Sequence, residues 1–356
     1  MNKIAVAMSG GVDSTYAALK LKEQGHKVFC ITLQMFCKQH PATGELILDP
    51  FDDVKRICDQ IGIPHILINA EQFFESTVIK NFCNEYFAGR TPNPCVLCNK
   101  EIKFGLLLEE AMVHGATHIA TGHYAQVEFN TKNEQYLLKR GKDRKKDQSY
   151  FLWRLNQYQL AHTLFPLADE RKTDIQQELE THHIHLKQKP ESQEICFIPN
   201  DEYNTFLKER APERIQQGKI VNTKGEVLGT HKAYPFYTIG QRKGLGISAE
   251  HPLYVLEIKP ESNKIVVGKK KELYHKKLFS REVNWIAENT ISFPFRAQAK
   301  IRYNTKEKSC LVTQADEGII IEFDEPQMSI TPGQSVVLYD GELVLGGGII
   351  ERVVKI

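Results

Sequence analysis

The chain has 356 residues, of which 41% are hydrophobic and 25% charged, and its formal net charge is only +2. This length predicts two or three domains, with a core large enough to need no disulfide or metal for stability. The small net charge excludes a global field that would draw the protein to nucleic acid, so any such binding must come from local basic patches.

The N-terminal apolar run, Ile4–Met8, is far too short for a secretion signal or a membrane span. We therefore expect a cytoplasmic protein without a membrane partner. Eight cysteines in a reducing compartment favour metal-binding or catalytic roles for close pairs over structural disulfides.

The first 125 residues alternate short apolar strands with helical patterns. Helices are predicted at about 14–24, 51–61, 71–88 and 99–113, and the strands at Lys3–Met8, Lys27–Leu33, His65–Ile68 and Thr117–Thr121. This alternation predicts a doubly wound α/β domain with a mostly parallel sheet. Ligands of such sheets bind at the carboxyl ends of the strands.

The rest of the chain has a different pattern. Lys139–Lys146 is basic and rich in turn residues, which predicts an exposed loop, and Arg171–His185 predicts a polar helix. Phe295–Tyr303 alternates apolar and polar residues, and strand candidates follow at Leu311–Gln314, Ile319–Phe323, Ser335–Tyr339 and Leu343–Leu345. We predict a catalytic domain over 1–204, a small central domain over 205–275 and an antiparallel β-barrel over 276–356.

The first predicted strand runs into a turn, Ser9–Ser14, with the sequence SGGVDS. Its glycines allow backbone N–H groups to approach a ligand, and the following helix N-terminus favours phosphate. Asp13 could help to hold Mg²⁺. The turn lacks both the GxxxxGK[ST] and the GxGxxG patterns, and it resembles the PP-loop of the adenylating ATP pyrophosphatases. The alternative is an ordinary turn that caps a helix.

A second motif contains the pair Cys95-x-x-Cys98, preceded by Pro92 and Pro94. We expect the prolines to delay the helix until about Asn99, so that Cys98 lies near its N-terminus with Lys100 beside it, which favours the thiolate. Three interpretations stay open: a zinc site, a thiol redox pair, or a catalytic pair with Cys196 in sulfur chemistry. We expect the remaining cysteines to be small apolar residues, namely Cys30, Cys37, Cys58, Cys83 and Cys310.

These motifs together resemble the tRNA-specific 2-thiouridylase family over essentially the whole chain. The matching segments are AMSGGVDS (7–14), GRTPNPCVLCNKEIKF (89–104), TGHY (121–124), KDQSYFL (146–152), ESQEICFI (191–198), TIGQRKGL (238–245), Arg302-Tyr303 and TPGQ (331–334).

The resemblance implies a PP-loop domain, a central domain and a C-terminal barrel that grip a tRNA, with ATP and Mg²⁺ as cofactors. Cys98 matches the family nucleophile and Cys196 the cysteine that carries persulfide sulfur, and the two would form a disulfide in turnover. The implied ATP-binding residues are Ala7, Met8, Ser9, Gly10, Gly11, Val12, Asp13, Ser14, Met35 and Gly122. The target base would meet Asn93, Pro94 and Cys95, and the tRNA would meet His123, Lys146, Asp147, Gln148, Arg302, Tyr303 and Gln334.

The implied substrates are tRNAs for lysine, glutamate and glutamine, modified at the wobble uridine, and a sulfur-donor or carrier protein is the implied partner. Arg302 is expected on a barrel strand, and Pro190–Pro199 is expected to be a loop that carries Cys196 inward. We predict no metal site at His182, His183 and His185.

One residue departs from the family pattern, because many members have an aspartate with an acid–base role where this chain has Cys95. A cysteine performs that role only if its pKa moves toward neutrality. Two other functions remain open at this stage: a PP-loop enzyme acting on a small molecule, and an RNA-binding protein with a relic ATP site.

Overall fold

The computed structural model describes residues 2–36, 38–39, 46–47, 49–182, 184, 186, 195–198, 202–287 and 291–355. The first part of the chain forms β1 (Lys3–Ala7), α1 (Val12–Glu23), β2 (Lys27–Gln34), β3 (Lys38–Gln39), β4 (Leu46–Ile47), α2 (Asp49–Gln60), β5 (His65–Asn69), α3 (Glu71–Phe74), α4 (Lys80–Phe87), α5 (Pro94–Cys98), α6 (Leu107–Val113), β6 (His118–Ala120), β7 (Ala125–Asn130), β8 (Gln135–Arg140), α7 (Gln157–Ala161), β9 (Thr163–Leu164) and α8 (Lys172–Thr181).

The second part forms α9 (Tyr203–Arg210), β10 (Gly218–Asn222), β11 (Val227–His231), β12 (Tyr254–Lys259), β13 (Lys264–Gly268), β14 (Tyr274–Trp285), β15 (Phe295–Lys300), β16 (Lys308–Ala315), β17 (Gly318–Met328), β18 (Ser335–Asp340) and β19 (Leu343–Val353). None of the described helices is long and apolar enough to cross a membrane.

A parallel sheet in the order β5-β2-β1-β6-β9 forms the N-terminal domain. Alternate side chains of β1 enter different cores. Ile4 and Val6 pack with α1 and α2, whereas Ala5 packs with the helix that contains Phe104 and Leu108. Helices therefore cover both faces of the sheet, which confirms the predicted doubly wound α/β class.

Two further sheets confirm the rest of the predicted architecture. A small four-stranded sheet has the order β11-β10-β13-β12. The C-terminal strands close into a six-stranded antiparallel barrel, β14-β17-β16-β15-β18-β19, through pairing of β14 with β19. Strands β7 and β8 extend this sheet from β19, so the N-terminal part of the chain and the barrel share one continuous core that includes Trp153 and Tyr339.

The cysteine-bearing helix begins earlier than predicted. It starts at Pro94 and continues without a break through a π-helical stretch, Asn99–Leu106, into α6. The expectation that the prolines delay the helix to Asn99 was wrong, because Pro94 occupies the first helical position, where its missing N–H costs nothing.

Two predicted surface features also differ in the structure. Lys139 and Arg140 belong to β8 rather than to a loop, and the Arg140 side chain is buried against Tyr339 and Glu307. Strand β15 ends at Lys300, so Arg302 lies in the turn that follows and not on a strand. A period-two pattern continues into a turn without any change in polarity, so it does not show where a strand stops.

Candidate active site

The turn between β1 and α1 is a backbone cradle. Gly10 has a positive φ of 75°, which a residue with a side chain rarely adopts. No side chain caps the N-terminus of α1, and the first-turn N–H groups of a helix have no partner within it. The Ser14 hydroxyl accepts from Ser9 N and donates to the Gly11 carbonyl, at 3.2 and 3.0 Å, which fixes the loop around those open donors. This arrangement fits a phosphate group.

Three neighbouring strands of the sheet bring the implied ATP-binding residues to one edge. Met35 follows β2, and Gly122 follows β6. The turn of Ser9–Ser14, called the phosphate loop from here on, follows β1. A Cβ atom at Gly122 would lie 2.8 Å from Asp13 Cβ, so the absence of a side chain there lets the two loops touch. The edge is the one where open α/β sheets bind ligands.

Two residues that the sequence analysis missed hold Asp13. Its Oδ1 accepts from Lys172 Nζ and from the Tyr124 hydroxyl, both at 2.7 Å. Tyr124 lies inside the TGHY motif, which could have drawn attention to it, but Lys172 is 159 residues from Asp13 and no motif contains it. The carboxylate of Asp13 fits a magnesium ligand, since Mg²⁺ in nucleotide sites uses one or two carboxylates together with phosphate oxygens.

The structure brings the two implied catalytic cysteines together. Cys98 is only 7% exposed, and it shares one hydrophobic cluster with Phe197 and Ile198, the residues that directly follow Cys196. Cys196 itself is exposed, and a negative charge on it would raise the pKa of Cys98. Pro190–Glu194 and Pro199 lie outside the described residues, so the expected closing motion of this loop stays a prediction.

The environment of Cys98 differs from the expected one. Burial raises the pKa of its thiol to about 12, so the thiolate is not favoured. The cation that opposes this effect is Lys103, whereas Lys100 pairs with Glu101 at 3.0 Å. The expectation of a helix N-terminus and Lys100 beside Cys98 was wrong, because the helix already starts at Pro94 and the cation that acts on Cys98 is Lys103.

Cys95 lies on the first turn of the same helix, with its side chain exposed. Desolvation nevertheless raises the pKa of its thiol, and Lys103 again lowers it. An exposed thiol is desolvated when protein surrounds it on most sides, as at the wall of a cleft. The pKa therefore moves away from neutrality, which disfavours an acid–base role for Cys95 in this state of the protein.

Hydrogen bonds and an ion pair join residues 90–93, the strap that leads into the helix of Cys95 and Cys98, to the C-terminal part of the chain. Gln334 Nε2 donates to the carbonyl groups of Thr91 and Pro92, both at 3.0 Å, and Thr91 N donates to the Pro332 carbonyl. Arg90 adds an ion pair with Glu351 on β19. In this state the side-chain amide of Gln334 positions the strap before Pro94.

The other implied tRNA-contacting residues fall into two groups. Asp147 is buried and accepts from Gly141 N and Ser149 N, and Gln148 Oε1 accepts from Tyr124 N, so both side chains support the loop. Lys146 is half-buried.

The second group lies near the barrel. The ring of Tyr303 packs on Phe151 with centroids 4.5 Å apart, and Arg302 donates to the Ser329 carbonyl at 2.9 Å. Tyr150 lies next to Tyr303, its hydroxyl donates to the Ser335 carbonyl at 2.9 Å, and the Asn93 side chain is near enough to lower its pKa slightly against the effect of burial. The implied target-base and tRNA residues thus meet beside the strap.

The ring of His123 lies next to the rings of Phe104 and Phe165, and its Nδ1 is 2.9 Å from the Thr121 hydroxyl. Burial, with a smaller contribution from the charge of Lys103, lowers its pKa well below the usual 6.5. The ring is therefore neutral at neutral pH, and it can offer RNA a hydrogen bond but no charge.

The other described cysteines behave largely as expected. Cys30, Cys58 and Cys310 are fully buried and Cys83 is half-buried, while Cys37 lies outside the described residues. His183 and His185 also lie outside them. His182 is exposed and lies 3.3 Å from Glu23, close to Glu178.

Three protein-family descriptions match successive parts of the chain. The "tRNA methyl transferase HUP domain" covers residues 2–200, the "tRNA methyl transferase PRC-barrel domain" covers 204–269, and the "Aminomethyltransferase beta-barrel domain" covers 275–350.

Curated proteins match over almost the full length. The "tRNA-specific 2-thiouridylase MnmA" of Halothermothrix orenii is 46% identical over 99% of this chain and 99% of its own length. The "tRNA-specific 2-thiouridylase MnmA 2" of a Thermoanaerobacter species is 43% identical with the same coverage of both chains.

Among solved structures, the U34-tRNA thiolase NcsA of Methanococcus maripaludis aligns with a TM-score of 0.35 and 16% identity, over 60% of this chain and 65% of that one. A likeness this weak supports no conclusion about this chain.

Proposed function

The chain belongs to the tRNA-specific 2-thiouridylase family, and we propose that it adenylates the C2 oxygen of a tRNA wobble uridine with ATP and replaces that oxygen with sulfur from a cysteine persulfide. The observation that carries the proposal is one hydrophobic cluster that contains Cys98 together with Phe197 and Ile198, and against which Leu33 and Met35 pack at the edge of the sheet that holds the phosphate loop. Nucleotide and sulfur chemistry would thus share one cleft.

Activation comes first, because the C2 oxygen of uridine is a very poor leaving group. Attack of this oxygen on the α-phosphorus of ATP forms a C2–O–AMP linkage and releases pyrophosphate. The open N–H groups at the start of α1 suit the phosphates, and Ser9 and Ser14 can turn their hydroxyls toward them. Mg²⁺ would be held by Asp13 and would neutralise phosphate charge.

Sulfur transfer follows on the activated carbon. The terminal sulfur of a Cys196 persulfide attacks C2 and expels AMP, and the Cys98 thiolate then attacks the Cys196 sulfur and frees the C2=S product. Alternatively, Cys98 attacks first and releases sulfide, which attacks C2. Both routes leave a Cys98–Cys196 disulfide, and an external dithiol must supply the two electrons that reopen it. The buried position of Cys98 supports this proposal, because water in the cleft would merely regenerate uridine.

The tRNA would be held with the target base unstacked, which is easiest in an anticodon loop. We propose Asn93, Pro94 and Cys95 for the base, and His123, Lys146, Gln148, Arg302, Tyr303 and Gln334, with the backbone of Asp147, for the tRNA. The adjacent Phe151 and Tyr303 rings support this, since aromatic faces stack unpaired bases. The substrates are tRNAs for lysine, glutamate and glutamine, the sulfur arrives from a carrier protein, and the reaction takes place in the cytoplasm.

The direct test is mass spectrometry of nucleosides from tRNA incubated with the protein, ATP and a persulfide donor. We expect ATP-dependent 2-thiouridine at the wobble position and one AMP per thiolated base. Formation of AMP with a small amide acceptor in the absence of tRNA would instead favour a PP-loop enzyme of small-molecule metabolism. Unmodified tRNA with tight binding would favour a non-catalytic RNA-binding protein.

A further inference from the structure

Lys103 lies on the same side of the helix as the reactive thiols. The helix that carries Cys95 and Cys98 passes into π-helical geometry at Asn99. In that geometry hydrogen bonds join residues five apart, so residues separated by five lie one turn above each other. Cys98 and Lys103 have this separation. The π-helical stretch therefore brings Lys103 to the side of the helix that carries Cys98, and its charge lowers the pKa of that thiol. In a regular α-helix, residues five apart lie on different sides.

Lys103 has no competing partner in the described part of the chain. No carboxylate lies within ion-pair distance of it there, whereas the neighbouring Lys100 is paired with Glu101. Its positive charge lowers the pKa of Cys95 and Cys98, which share its helix, and that of His123, which follows β6. Among the described residues, this half-buried ammonium acts on two thiols and a neutral imidazole without a carboxylate to balance its charge.

Within the described ranges, the charged and titratable groups that act on Cys98 come from two elements. Cys95 and Lys103 face it from its own helix, and Cys196 faces it from the 195–198 segment. Both cysteines become negative when they ionise and then disfavour a second anion, and His123 is neutral. In the part of the chain that the structure describes, Lys103 is thus the cation that acts on an anionic sulfur at this position.

We propose that Lys103 is a positioning residue that stabilises anionic sulfur at Cys98 during sulfur transfer. This inference rests on the proposed function for its role in turnover. The S–H bond of Cys98 breaks and its proton passes to solvent, and the thiolate remains beside the ammonium until it attacks the Cys196 sulfur. In the route through free sulfide, the same ammonium would hold the released HS⁻ in the cleft.

The test measures the reactivity of the Cys98 thiol directly. Alkylation of Cys98 by iodoacetamide is followed over a pH series by peptide mass spectrometry, since fragment ions separate Cys98 from Cys95. Lys103→Gln is expected to move the alkylation profile of Cys98 upward by about one pH unit or more, because an opposite charge nearby shifts a pKa by about that much. Alkylation at neutral pH then slows about tenfold. Lys103→Arg should restore most of the profile.

Lys100→Gln is the matched control, because it removes one positive charge from the same helix and should leave the profile unchanged. Lys103→Met is a second neutral variant of similar length, and a thermal melt of each protein checks that it folds. An unchanged profile in Lys103→Gln and Lys103→Met, or an equal shift in Lys100→Gln, would overturn the proposal. Because alkylation needs neither ATP nor tRNA, it remains informative if thiolation itself is absent, which would instead contradict the proposed function.

Discussion

The ammonium of Lys172, at the start of α8, lies 2.7 Å from Asp13 Oδ1 in the first turn of α1. Lys172→Met is expected to weaken ATP binding about tenfold or more, because a hydrogen bond between charged groups contributes about 1.5–3 kcal/mol and Lys172 holds the Asp13 carboxylate in place at the phosphate loop. The measurement is the KM for ATP in tRNA-dependent AMP release.

Lys20→Met is the matched control for Lys172. It removes the ion pair with Glu170, which also fastens α1 to the 166–170 segment, without touching Asp13. Equal losses of ATP affinity in the two variants would mean that helix packing, and not the charge at the phosphate loop, is responsible.

Cys196→Ser should abolish 2-thiouridine formation and leave AMP release intact, because the hydroxyl cannot carry persulfide sulfur whereas the phosphate loop is unchanged. Nucleoside mass spectrometry and AMP release are measured on the same sample. Cys83→Ser changes a half-buried cysteine of the same cluster and should retain both activities. Loss of AMP release in Cys196→Ser would contradict the separation of the two steps.

Gln334→Leu should lower the free energy of unfolding by about 1–3 kcal/mol, since two hydrogen bonds to the strap are lost and each contributes about 0.5–1.5 kcal/mol. The measurement is denaturant unfolding without tRNA, so that a contribution from RNA binding does not enter. Gln298→Leu, at an exposed position of β15, should change stability little. Unchanged stability in Gln334→Leu with weaker tRNA binding would mean that this side chain serves RNA alone.

His123 should make no pH-dependent contribution to tRNA binding near the ordinary imidazole pKa of 6.5, because burial lowers its pKa well below that value. If the ring were charged at that pH, affinity would fall as the pH rises through 6.5, since a phosphate contact would lose its cation. We expect the difference in tRNA affinity between the wild type and His123→Gln to stay constant across this range. A difference that shrinks as the pH rises would show that the ring is protonated.

The amino-acid sequence by itself predicted the fold class and the positions of the chemistry. Hydrophobic periodicity is a local property, so the strand of Lys3–Ala7 and the helix after it could be located within one or two residues. The phosphate loop is equally local, because six consecutive residues contain its glycines, hydroxyls and carboxylate. The pair Cys95 and Cys98 is local too, but its connection with the distant Cys196 came from the resemblance to the family and not from spacing.

Only the tertiary structure decided how these parts act on one another. Pairs such as Lys172 with Asp13 and Gln334 with Thr91 are far apart along the chain, and their contacts depend on how the sheet and the barrel pack. Burial decides the pKa of Cys98, and burial is a property of the neighbours that the fold collects rather than of adjacent residues. The charge of Lys103, and not that of Lys100, acts on the pKa of Cys98. The π-helical stretch contributes to this, because a change in helical pitch alters which residues share a side of the helix.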